Sequence, residues 1–137
     1  MIIRHKDYLS YELPKNWCVE EKEDNIILYN AAGEGALVVS FYNILEKVET
    51  LDEYISIMAK KFIDQNKIKL DAPFIVYGTE DTKIVLNGVG TTVDNWFIKL
   101  WLVARYPKIV LATYQCENKT SELKKCDAVI NSMQFLF

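Results

Sequence analysis

The chain has 137 residues, 50% hydrophobic and 26% charged, the size and balance of one globular domain that can bury a core without staples. Its 19 acidic and 16 basic side chains are interleaved and leave a net charge of −3, so there is no basic stripe to neutralise phosphates and nucleic acid is not an expected partner. The longest apolar run, Leu100 to Ala104, is far short of the roughly 20 residues that span a bilayer, which excludes a membrane-crossing helix.

The opening segment, MIIRHKDYLSYELP, carries charges at Arg4, Lys6 and Asp7 and has no apolar h-region, so it does not read as a secretory signal. Cys18, Cys116 and Cys126 form no C-x-x-C pair, and an odd number fits a reducing compartment better than a disulfide framework. The expected location is the cytoplasm.

Residues Tyr8 to Leu13 alternate in bulk until Pro14 and Asn16 supply turn chemistry. Trp17 to Glu21 is the next extended run, Lys22 to Asn25 a charged turn, and Ile26 to Tyr29 a third run. The turn from Asn30 to Gly35 leads into Ala36 to Ile44, rich in Val, Phe and Tyr. Four consecutive strands point to an antiparallel meander. The period then changes: Leu51, Tyr54, Ile55, Met58, Phe62 and Ile63 recur at helical spacing, with Thr50 and Glu53 forming a capping box and the helix ending near Asn66.

Beyond the helix, Pro73 marks a loop and Phe74 to Tyr77 a short additional strand. Lys83 to Val93 is extended, with Gly88 and Gly90 as bend or bulge positions. Asn95 to Tyr106 and Ile109 to Cys116 are the last strands, separated by a Pro107-Lys108 turn. Thr120 or Ser121 caps a final helix with Leu123, Cys126, Ile130 and Met133 on one face. The order is ββββαβββα in one domain, residues 1–137. Clustered strands with separate helices make an α+β class: an antiparallel sheet of six or seven strands with helices packed on it.

The segments YELPKNWCVEE, Tyr11 to Glu21, and VINSMQF, Val129 to Phe135, resemble the opening hairpin and the closing helix end of PsbP-like domains. The element order between them is also similar, so the resemblance spans nearly the whole chain. It implies an α/β/α sandwich around an antiparallel sheet. That superfamily includes a photosystem accessory subunit, a Ran-binding nuclear import factor, bacterial DcrB-like proteins and secretion-system adaptors. The resemblance therefore implies a bacterial binding protein and brings no shared catalytic motif, so it bears on function only as an analogy.

Catalytic chemistry finds little support in the residues. The single histidine, His5, falls in a segment expected to fray and reads as a surface residue. Gly33-Glu34-Gly35 and Gly88-Val89-Gly90 do not continue into a phosphate loop and helix. The acidic pairs Glu20-Glu21, Asp52-Glu53 and Glu80-Asp81 read as solvated turns, since no calcium-loop spacing is present. Asn118-Lys119-Thr120 reads as a helix entry. Asp94, before Asn95-Trp96, is the one carboxylate to be checked as a desolvated acid. No enzyme activity, cofactor or metal is expected.

The stretch NWFIKLWLVARY, Asn95 to Tyr106, carries the candidate site. Strand geometry puts Trp96, Ile98, Leu100, Leu102, Ala104 and Tyr106 on one apolar face and Phe97, Lys99, Trp101, Val103 and Arg105 on a mixed one. The mixed face is either a second core layer with Lys99 and Arg105 snorkelling, or a partly open surface. In the second arrangement Phe97, Lys99, Trp101 and Arg105 are candidate partner-binding residues, with Phe97, Trp101 and Arg105 of types enriched in hot spots. The expected function is a non-catalytic module for a protein partner, of adaptor, chaperone-like or immunity type. The alternative is a small-molecule binder or an enzyme with a pocket between sheet and helix.

Overall fold

Runs of alternating or continuous apolar residues become strands, and the two 3.6-period stretches become helices. In the computed structural model, which describes residues 1–33, 35–118 and 121–137, the elements are β1 (Ile2–His5), β2 (Leu9–Glu12), β3 (Trp17–Glu21), β4 (Asn25–Asn30), β5 (Ala36–Asn43), α1 (Leu51–Gln65), β6 (Lys69–Leu70), β7 (Ile75–Thr79), β8 (Lys83–Thr91), β9 (Phe97–Arg105), β10 (Lys108–Cys116), α2 (Glu122–Ser132) and β11 (Gln134–Phe135). The main sheet runs β3-β4-β5-β10-β9-β8-β6, with β7 also pairing β8, and β1-β2-β11 form a small separate sheet. All of these pairings are antiparallel.

Both faces of the main sheet are covered, so its central strands are apolar on both sides. Ile98, Leu100, Leu102 and Ala104 of β9, with Ile84, Leu86 and Ile109 from their neighbours, pack with Leu51, Ile55, Ala59 and Ile63 of α1. On the opposite face Val85, Trp101, Val103, Val110, Ala112 and Tyr114 pack with Leu123, Cys126, Val129 and Ile130 of α2 and with Leu9 and Tyr11 of the small sheet. The result is the α/β/α sandwich.

Helix α1 starts differently from the expected capping box. Thr50 Oγ1 bonds Glu53 Oε2 at 2.8 Å but caps no backbone group, and the free Leu51 N–H donates instead to Glu80 Oε1 at 3.0 Å. Glu80 belongs to the β7–β8 hairpin, so a residue that reads as a solvated turn acid ties the hairpin to the helix dipole. The helix ends on Asn66, as its periodicity indicates. At α2, Ser121 makes no side-chain cap, and Thr120, with the rest of the sequon after Asn118, lies outside the described residues.

Several boundaries change. Tyr8 to Leu13 is not the first strand of the meander; β2 pairs with β1 and β11, and only β3, β4 and β5 form the hairpin series in the main sheet. Trp96 and Tyr106 lie beyond the ends of β9 and are 42% and 47% exposed, so they are turn residues and not core. Gly88 and Gly90 sit within an unbroken β8, where a Cβ would come within 2.6 Å of the Phe74 ring and 2.5 Å of the Lys69 carbonyl. Close packing of the 66–74 crossing, and not a bulge, requires them.

Candidate functional site

The four residues of the aromatic strand do not make one surface. Trp101 is 1% exposed, and its indole N–H donates to Asp127 Oδ1 on α2 at 3.0 Å. Lys99 Nζ donates to the same oxygen at 2.8 Å while standing 5.2 Å from the Trp101 ring centroid. Of the two arrangements open to this face, the covered one is observed here, because α2 lies on Trp101 and Val103. Phe97 and Arg105, at the strand ends, are half-buried.

An open lane survives beside α2. The register sets Thr91 opposite Phe97, Val89 opposite Lys99 and Asn87 opposite Trp101, and these β8 residues are half-buried. Farther out lies β7, with every residue exposed: Ile75 is 62%, Val76 44% and Tyr77 43% accessible. Tyr77 is tethered to α2, its hydroxyl donating to Asn131 Oδ1 at 2.7 Å. A short, uncharged strand at the sheet margin presents a backbone edge with few of the usual protections, such as lysine or proline.

His5 corrects the sequence reading of a frayed surface histidine. It pairs with Leu9 across the small sheet, is 5% exposed, and stacks on Phe41 with centroids 4.2 Å apart and planes 6° from parallel. Its Nδ1 lies 3.7 Å from Glu21 Oε1, and among the described residues neither it nor the Tyr11 hydroxyl has a hydrogen-bond partner. Burial pushes the imidazole below its ordinary range, with Glu21 opposing, and pushes the Tyr11 phenol up to about 12, with Glu21 adding to the effect. These groups were invisible as a set in the sequence, since His5 and Tyr11 come from the paired strands β1 and β2 of the small sheet and Glu21 from β3 of the main sheet, and only the packing of the two sheets brings them together.

The other flagged groups are placed without chemistry of their own. Asp94 is an exposed turn aspartate, not a desolvated acid. Cys18 is exposed while Cys116 and Cys126 are buried, and burial pushes the Cys126 thiol up to about 12. Among the described residues, no three His, Cys, Asp or Glu side chains converge as metal ligands would, and no helix is long and apolar enough to cross a membrane.

An antiparallel sheet with one helix on each face, closed by a strand after the second helix, is the PsbP-like fold that the sequence resembles. Over 96% of its length the chain is similar to the solution structure of cyanobacterial PsbP (CyanoP) from Synechocystis sp. PCC 6803, with a TM-score of 0.67, 13% identity and 89% of that chain covered. It is also similar to a crystal structure from Bacteroides thetaiotaomicron VPI-5482, with a TM-score of 0.56 and 14% identity, where it spans 94% of its own length but 45% of that chain. No family profile matches the sequence, and no curated protein matches it. At these identities the likeness defines the fold.

Proposed function

We propose that this chain is a non-catalytic binding module for a protein partner, which it engages through the outer edge of β7 and the lane beside α2. The observation that carries this reading is β7 itself, five exposed residues with Ile75, Val76 and Tyr77 at a sheet margin. An extended segment of a partner adds there as a further strand: main-chain hydrogen bonds give affinity, and alternate side chains, Ile75 and Tyr77 on the α2 side and Val76 on the α1 side, give selectivity. Phe97 and Lys99 stand at the inner side of the lane, whereas Trp101 supports it from within the core. Arg105, at the far end of β9, belongs to a different part of the surface.

The test is affinity capture from the native cell with wild-type protein and with an Ile75→Lys/Val76→Lys double variant. Two lysines on an exposed edge block strand addition and leave the core untouched. A partner retained by wild type and lost by the variant supports the reading, whereas equal retention by both refutes it.

A further inference from the structure

Beside the C-terminal end of α2 lies a second feature, at the turn of the β7–β8 hairpin. A cleft of about 310 Å³ is lined by Thr82, Lys83, Arg105, Met133, Gln134 and Phe135, where the start of β8, the end of β9 and the passage from α2 into β11 meet. Among the described residues two cations line it and no acid does. Lys83 Nζ donates to the carbonyls of Asn131 at 2.6 Å and Met133 at 2.7 Å, the negative end of the helix dipole. An ammonium has three hydrogens, so one remains unused.

Arg105 is freer still. Its guanidinium carbon stands 4.9 Å from the Phe137 ring centroid, and its side chain has neither a carboxylate nor a hydrogen-bond acceptor among the described residues. Lys108 stands 4.8 Å from the same ring, but it donates to the carbonyls of Asp7, Tyr8 and Leu136. Three positive charges thus gather at one corner of a chain whose net charge is −3. Only the two that line the cleft keep donors to spare.

We propose that this cleft binds a small oxyanion, a carboxylate or a phosphate group, gripped by the Arg105 fork and the remaining Lys83 hydrogen. A planar guanidinium matches two oxygens of either group, and the lysine adds a point charge. Thr82, whose hydroxyl is hydrogen-bonded to the Thr79 hydroxyl at 3.0 Å, and Gln134 complete the polar lining. The volume is at the lower limit of small-molecule sites and suits such a group better than a polymer. Burial holds the Lys83 ammonium below the ordinary lysine range, and a bound anion opposes that shift.

The experiment is an NMR titration of isotope-labelled protein at constant ionic strength, set with sodium chloride. Inorganic phosphate is added in one arm and acetate in the other, and the Arg105 Nε–H resonance is followed with the backbone amides of residues 82–83 and 133–135. A saturable shift in either arm that is lost in Arg105→Gln supports the site, and the arm that saturates identifies the oxyanion. Arg105→Lys keeps the charge without the fork, is available should the glutamine variant misfold, and weakens binding by about tenfold. Shifts that rise linearly in both arms, or saturation unchanged in the variants, overturn the proposal.

Discussion

Trp101→Ala tests the placement of α2 over the sheet. The side chain is 1% exposed, packs in the same core as Val85, Val103, Leu123 and Cys126, and donates its indole N–H to Asp127. Truncating a buried aromatic costs roughly 3 to 5 kcal/mol. For a domain of this length each kcal/mol lowers the melting temperature by about 3 to 5 °C, so a fall of roughly 10 to 20 °C is expected in a thermal melt followed by circular dichroism. Trp101→Phe keeps most of the ring but drops the N–H, leaving Lys99 as the donor to that oxygen, and is expected to cost only about 1 kcal/mol. The ordering separates packing from hydrogen bonding. An alanine variant that melts within about 3 °C of wild type would refute the reasoning and return Trp101 to the surface.

Three further outcomes follow from the same structure. Glu80→Ala removes the acceptor for the Leu51 N–H and is expected to destabilise by about 1 kcal/mol in urea, whereas Thr50→Ala, which removes no backbone cap, is expected to do less. His5, near Glu21 and Lys6 and stacked on the Phe41 ring, has its folded-state pKa below the ordinary 6.5 because of burial, so the unfolded chain takes up the proton first. Stability is therefore complete above pH 6.5 and falls as pH drops below it, by at most about 1.4 kcal/mol per pH unit, and His5→Phe flattens this dependence in urea melts at several pH values. In native protein a thiol reagent labels Cys18 rapidly and reaches Cys116 and Cys126 only on unfolding; fast labelling of all three would contradict the buried placement.

The sequence was most legible where periodicity was longest. The stripe Leu51, Ile55 and Ile63 declared α1 because each member lies on one face at 3.6-residue spacing, and the alternation of β9 sorted its side chains onto the two faces correctly. It was least legible at short elements. β1 and β11 have four and two residues, carry no periodicity of their own, and exist because each finds a partner in β2. The same limit hid His5, whose burial follows from that pairing and from Phe41, 36 positions along the chain.

The candidate site divides in the same way. Composition and spacing alone determined that Phe97, Lys99, Trp101 and Arg105 share a side of one strand, since pleating fixes the alternation whatever surrounds it. Which of them meets solvent was decided by where α2 settles, an outcome of packing between segments remote in the chain that no local pattern encodes. The exposed margin of β7 and the meeting of Lys83 with Arg105 are likewise products of sheet order. Strand identity is written in neighbouring residues, but edges and clefts come into being only when strands have taken their places.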